Sequence, residues 1–542
     1  MAILNVRNTP CPARLRLSLV HLLAALCASQ PCPGQQLLFK WDGVYQIDRL
    51  GIGVCGCGDV DQDGVADVAI GVPATYFSGR PGRVDLMSGR DGSLIKSLLE
   101  SGSAGAFGES IALTADRNGD AIRELLIGAP LKVSDQGEFG AVYVVSPADG
   151  RIIQEIVGDA GSFGLGGSVD SGVDLNLDGI EDLLVGASGD DTNGYTAGAA
   201  YVYSGADGTV LFQLFGKGDL NQFGQSVAFC GDVDADGVAD IGVGAPRFST
   251  AFLSECGAGY VYSGKTGQLI FLITGSKNKD KIGAGISSAG DLNRDGYGDV
   301  IVGAQQLYSV CTGPGYAVAV SGKDASVLWS IPGDSDFDTL GKTVRLLGDL
   351  NQDGFADIGI GAIQADYGGC ERAPGYLKLI SGRSSALLYQ FEGTLATTGI
   401  GGESFGFEAS AVADVNRDGF PEVLIGAPDA IQGNESSAGR AYLFSGNDLF
   451  LQASPREAEE GDLLVLSLRE QDPGTLAAIF LVEIQSVPYV QLLALGCFAP
   501  DLGFSFSATV PGGLAGLECT FQAFALSRGR IIDSAREVVK FR

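Results

Sequence analysis

One short acidic motif recurs in register along this chain, and its recurrence constrains the fold more than any other feature. The pattern D-x-[DN]-x-D-G-x-x-[DE] begins at Asp59, Asp174, Asp232, Asp291, Asp349 and Asp414, with a degenerate copy at Asp116. Successive starts lie 57, 58, 58, 59, 58 and 65 residues apart. An apolar residue and a glycine precede each copy at a constant offset: Leu50-Gly51, Phe107-Gly108, Leu165-Gly166, Phe223-Gly224, Ile282-Gly283, Leu340-Gly341 and Phe405-Gly406. Twelve residues after each start comes a Gly in an apolar run, as in IGVP, IGAP, VGAS and VGAP. A β-rich stretch follows, such as Ala200 to Gly205 (AYVYSG), then a turn and a further apolar run such as Thr209 to Gly216. Tyr and Val favour strands, and the Ser204 to Gly208 turn has hairpin chemistry. Each unit therefore reads as four short strands. One four-stranded sheet cannot bury both its faces, whereas radial stacking of 4–8 such sheets closes a ring. The expectation is an all-β fold: a seven-bladed β-propeller over residues 37–451. An open solenoid is the alternative. Helical repeats are excluded, because no 3.6-residue periodicity is present and Gly recurs every few residues.

The loops carry chemistry of their own. Oxygens at alternate positions converge on one side of a tight turn, and the Gly at the sixth position permits the backbone twist. A carbonyl at the seventh position and a carboxylate at the ninth complete six or seven oxygens, which suits Ca²⁺ better than Mg²⁺. Loop 1 offers Asp59, Asp61, Asp63 and Asp67 with the Val65 carbonyl, and loop 4 offers Asp232, Asp234, Asp236 and Asp240 with that of Val238. With four carboxylates each, these two are expected to bind most tightly. Loop 3 offers Asp174, Asn176, Asp178, Ile180 and Asp182; loop 5 offers Asp291, Asn293, Asp295, Tyr297 and Asp299. Loop 6 offers Asp349, Asn351, Asp353, Phe355 and Asp357; loop 7 offers Asp414, Asn416, Asp418, Phe420 and Glu422. Loop 2 has Asp116, Asn118, Asp120 and Glu124, but Ala121 replaces the Gly, so it is expected to be the weakest site. An EF-hand is rejected, because the last carboxylate comes at the ninth position and strands flank the loop.

The FG and GAP signatures around an embedded acidic loop resemble the FG-GAP repeat of the integrin α-chain head. The resemblance spans Leu37 to Leu451. It implies a seven-bladed propeller with calcium between the first two strands of a blade. It implies no particular adhesion partner, since recognition in integrins also uses a second chain and, in some, an inserted domain. The spacings here leave no room for such an insert.

Residues 1–30 read as an export signal. Arg7, Arg14 and Arg16 precede the apolar stretch Leu17 to Cys27, with Ala28 and Ser29 after it. That stretch is shorter than the ~20 apolar residues of a membrane span. A lipoprotein signal at Cys27 ranks second, because Leu26 does not suit it. Removing the segment takes the formal charge from −30 to −33 and removes His21, the one histidine. The mature chain then has no His general base, Ser-His-Asp triad or His-ligated zinc. Its acidity argues against nucleic acid and anionic membranes as partners.

Nine cysteines lie beyond residue 30, without zinc-site spacing. Export favours some pairing. Cys497 with Cys519 is the first expectation and Cys311 with Cys370 the second, against buried free thiols. Leu37 to Trp41 is placed as the outer strand of the last blade, because the seventh repeat has a shortened tail. Residues 452–542 lack the loops and read as a small β-sandwich-like domain. The expected function is a non-enzymatic, secreted or cell-surface, calcium-binding scaffold for an unknown protein or glycan ligand. A secreted carbohydrate-active or other hydrolytic enzyme and a structural envelope component are the alternatives.

Overall fold

The computed structural model describes residues 37–541 except 74–79, 101–104, 134–138, 160, 307–312, 352, 364–373, 395–401, 418, 432–436, 447–449 and eight short stretches between 455 and 536. The expected export signal, Cys311, Cys370 and Asp418 lie outside the described residues. The fold is all-β, with no helix among the described residues. The chain divides at Asn447–Asp448 into two compact units.

The first unit is a propeller-like array of four-stranded antiparallel sheets. Repeat 1 pairs Val54–Gly58, Asp67–Val72, Arg83–Met87 and Leu94–Leu99 in chain order. Repeat 4 does the same with Ser226–Phe229, Ile241–Ala245, Ala258–Tyr262 and Leu269–Thr274. Repeats 2 and 3 are linked into one larger sheet by a parallel bridge between Gly140 and Leu165. In six repeats the second strand is buried on both faces, as Asp67–Val72 and Asp357–Ala362 show, and in repeat 2 the first five residues of Leu125–Val133 are. That burial explains the near-continuous apolar runs there.

Repeat 7 supplies three strands, Glu408–Val412, Glu422–Ala427 and Arg440–Phe444. The fourth comes from the start of the described chain. Leu37–Asp42 pairs antiparallel with Arg440–Phe444, with Trp41 opposite Ala441. Trp41 is buried, and its indole Nε1–H donates to the Gly92 carbonyl of repeat 1 at 2.8 Å. The expected seam strand is therefore in place.

Side chains of neighbouring repeats fill the space between their sheets. One cluster joins Cys55 and Leu86 of repeat 1 to Phe107, Ile127 and Tyr143 of repeat 2. Another joins Trp41, Leu424 and Leu443 to Val68, Ile70 and Val72, from repeats 7 and 1. The two signature glycines explain how the sheets come so close. The Gly twelve residues into each motif lies against the carbonyl of the Gly in the next repeat's apolar-Gly pair. A Cβ on Gly71 would stand 2.0 Å from the Gly108 oxygen, and one on Gly426 would stand 1.8 Å from that of Gly51. The contact passes from repeat to repeat and from the seventh back to the first.

In the second unit, Phe450–Ser454, Leu463–Arg469 and Phe504–Thr509 form one sheet, and a six-stranded sheet contains Leu476–Ile484, Val487–Cys497 and Glu518–Ser527. Phe450 pairs with Arg469 and Leu451 with Leu468 in this unit. The register also overturns the Cys497–Cys519 disulfide. Cys497 lies opposite Leu476 and Cys519 opposite Ile484, at the two ends of one strand. At ~3.3 Å per residue that is about 26 Å, far beyond the ~7 Å limit for a bridge. Cys55, Cys57, Cys230 and Cys256 are free and buried.

Candidate metal centres

Each acidic loop joins the first strand of its sheet to the second. The carboxylates at the first and third positions close the loop by accepting from its own amides. In loop 1, Asp59 accepts from the Asp63 and Gly64 amides at 2.9 and 2.8 Å, and Asp61 accepts from Asp63 at 3.1 Å. In loop 4, Asp232 accepts from Asp236 and Gly237, each at 2.9 Å, and Asp234 accepts from Asp236 at 3.2 Å. Asp174 and Asn176 repeat the pattern onto Asp178, Asp291 and Asn293 onto Asp295, and Asp349 and Asn351 onto Asp353. The fifth carboxylate accepts from the seventh amide: Asp63 from Val65, Asp178 from Ile180, Asp236 from Val238, Asp295 from Tyr297 and Asp353 from Phe355. In loop 7 Asp414 accepts from Gly419, Asn416 bonds Ser445, and Phe420 is buried.

The ninth acid does different work. Asp67, Glu124, Asp182, Asp240, Asp299, Asp357 and Glu422 are all fully buried. One oxygen accepts from the loop's second residue, as Asp67 does from Val60 at 2.8 Å and Asp240 from Val233 at 2.7 Å. In the aspartates the other oxygen accepts from a Gly in the hairpin between the third and fourth strands: Asp67 from Gly89, Asp182 from Gly205, Asp240 from Gly264, Asp299 from Gly322 and Asp357 from Gly382. The ninth acid is thus a strut between loop and hairpin as well as a candidate ligand. Burial raises the carboxyls of Asp67, Glu124 and Asp182 above their usual range, those of Asp240 and Asp299 to about 6 and that of Asp357 to about 7.

Loop 2 closes in spite of Ala121. Its sixth residue takes φ of 68°, the left-handed conformation that Gly has in the other loops. Asp116 accepts from Gly119 and Ala121, and Asn118 from Asp120. The Ala therefore strains the turn without preventing it. Buried Glu124 accepts from Arg117 through one oxygen, and its Oε1 has no hydrogen-bond partner.

These donors fit a divalent cation. Oxygens of Asp59, Asp61 and Asp67, and of Asp232, Asp234 and Asp240, lie within 4.8 Å of one another. Among the described residues only these two loops, the two with four carboxylates, bring three acids that close. A carboxylate has about four lone-pair sites, so the amide bonds leave capacity for an ion. The set is all oxygen, which suits a hard cation.

A second set of acids, at the opposite end of the first strand, was not anticipated. Asp48, Asp280, Asp338 and Glu403 each lie two residues before the apolar-Gly pair, and all are buried. Tyr316, Tyr376 and Tyr442, at or near the start of third strands, donate their hydroxyls to Asp280, Asp338 and Glu403. The pattern [DE]-x-apolar-Gly was visible in the sequence and marks these anchors.

The FG-GAP repeat family model matches residues 223–263, 283–321 and 405–444, which contain loops 4, 5 and 7. Integrin alpha-5 of Xenopus laevis is 33% identical over 215 residues, covering 36% of this chain and 20% of its own length. Integrin alpha-V of Gallus gallus is 29% identical over 230 residues, covering 39% and 20%. Integrin alpha-8 of Mus musculus is 33% identical over 217 residues, covering 36% and 19%. The aligned region thus spans about a fifth of these relatives. With its four-stranded sheets and acidic loops, the chain carries FG-GAP repeats in these three stretches and resembles the integrin α-chain propeller.

Proposed function

We propose that this chain is a calcium-loaded propeller that acts outside the cell as a non-enzymatic binding or adhesion scaffold. The observation that carries the reading is the common closure of the acidic loops, with three acids converging in loops 1 and 4. Up to seven Ca²⁺ ions are proposed, held by the first, third, fifth and ninth side chains and the seventh carbonyl. When bound, the ion neutralises the clustered charge. The loop amides hold the carboxylates in place, and the ninth acid ties each filled loop to its sheet.

The scaffold role rests on the likeness to integrin α chains and on the use of the acidic clusters as metal loops. No described helix is long and apolar enough to cross a membrane. Elemental analysis of the purified chain in millimolar Ca²⁺ tests the metal reading. At least about four ions per chain are expected for loops of this type. A protein and glycan array with Ca²⁺ and with chelator tests the scaffold reading. A saturable, chelator-sensitive ligand supports it, and turnover of a glycan would replace it with the enzymatic alternative.

A further inference from the structure

The loops differ in a way that the metal pattern alone does not explain. In repeats 1 and 4 the hairpin residue directly after the Ser-Gly pair is basic and reaches back to its own loop. Arg90 Nε lies 2.8 Å from Asp63 Oδ2, and its Nη2 donates to the Asp63 carbonyl. Lys265 Nζ lies 3.7 Å from Asp236 Oδ2 and donates to the Asp236 carbonyl at 3.2 Å. Both contacts meet the fifth loop carboxylate. The backbone before each cation is fixed by the strut already described, from Gly89 to Asp67 and from Gly264 to Asp240.

These are the two loops with Asp at the third position. In loop 3 the third residue is Asn176, whose amide donates to Asp178 at 2.8 Å, and the hairpin carries Ala206. Ala148 stands at the corresponding place in repeat 2. Lys323 and Arg383 in repeats 5 and 6 face the rings of Tyr297 and Phe355 instead. Among the described residues, the hairpin cation meets a loop carboxylate only where the loop has a fourth acid.

We infer that Arg90 and Lys265 are resident counter-cations that lower the metal affinity of loops 1 and 4 and stabilise these loops without metal. The inference rests on the calcium reading above. Each cation offsets the extra acid, so that all the described loops present a similar net charge to an incoming ion. A fixed positive charge beside a site repels a divalent cation and favours the empty loop. Both side chains are about half exposed, at 52% and 54%, so substitution leaves the core untouched.

The test is calorimetric Ca²⁺ titration of the full chain, with melting in chelator, for wild type and two double variants. Arg90→Gln with Lys265→Gln should tighten two sites by roughly threefold to tenfold at low salt and lower the melting temperature in chelator. Molar NaCl should shrink both differences. Arg90→Lys with Lys265→Arg, which keeps the charges, should bind like wild type. Unchanged or weaker affinity in the Gln pair, or equal tightening in the charge-keeping pair, overturns the inference and leaves the calcium reading standing. A wild-type chain that takes up no Ca²⁺ overturns both.

Discussion

Ala121 shows what a single methyl group does to a loop of this kind. It holds φ of 68° where the other described loops use Gly. The left-handed region costs a side-chain-bearing residue about 1–2 kcal/mol, and the greater freedom of unfolded Gly returns part of that. Ala121→Gly should therefore stabilise the chain by about 0.5–1 kcal/mol, read as a higher melting temperature in chelator. A lower one would refute the strain. The ninth acid is a sharper case. Asp182 accepts from Leu175, Asn176 and Gly205 while fully buried. Asp182→Ala should cost about 3 kcal/mol or more even without metal, since buried donors lose a charged acceptor. Asp61→Ala, at an exposed position, should alter only the metal-dependent part of stability. Chemical denaturation with and without Ca²⁺ separates the two, and equal losses in chelator would refute the distinction. Both residues were legible as ligands in the sequence. The strut was not, because the Gly205 amide that completes it comes from a hairpin placed by the sheet and not by the motif.

At the scale of elements, the strand Leu37–Asp42 and the tyrosine anchors bear most weight. Trp41→Ala should cost about 3–5 kcal/mol, as for other buried aromatics, since it removes the seam packing and the bond to Gly92. A loss under ~1 kcal/mol in denaturant titration would show the seam to be held elsewhere. The strand's partner was legible because Leu38-Phe39 lies at the same distance before Gly51 as Leu211-Phe212, in the last strand of its repeat, before Gly224. The disulfide expectation failed for a related reason. Cys497 and Cys519 are near in sequence, but each pairs with a different end of the intervening strand. Proximity along a β chain is a poor guide once register is set. The acids at Asp48, Asp280, Asp338 and Glu403 were in plain view. Their role emerges only when the third strand delivers a tyrosine to Asp280, Asp338 and Glu403, and Arg83 to Asp48.

For the whole molecule, the glycine contacts and the charge set the terms of stability. Gly426→Ala would place a carbon 1.8 Å from the Gly51 carbonyl, backbone against backbone, so repeats 7 and 1 would have to separate. The expected result is a loss above ~3 kcal/mol or failure to fold, whereas Gly290→Ala, where nothing lies within 4 Å, should cost little beyond its positive φ. Similar losses in the two variants would show that the repeats do not meet as described. Metal acts on the same scale. Each ion that binds only the folded state adds about 2.7 kcal/mol at a hundredfold excess over Kd. Chelation should thus lower the melting temperature markedly, and Ca²⁺ should restore it better than Mg²⁺. A melting temperature indifferent to chelator would make the loops ordinary acidic turns.

The seam has a consequence in time as well as in space. Arg440 reaches Asp42 across 398 positions of chain, and the Leu37–Asp42 strand that fills the last sheet precedes all seven repeats along the chain. Repeats can stack on one another as they emerge, each covering the exposed face of the one before. The first strand has no sheet to join until the seventh repeat is made. Closure is therefore the longest-range step in the propeller's folding, with the largest loop-closure entropy to overcome. Until it happens, the nascent propeller carries an open strand edge at repeat 7 and an unclaimed strand near its start. Two chains that have made repeat 7 but not yet closed offer each other these same two pieces, so an exchanged first strand is the natural misassembly of this fold.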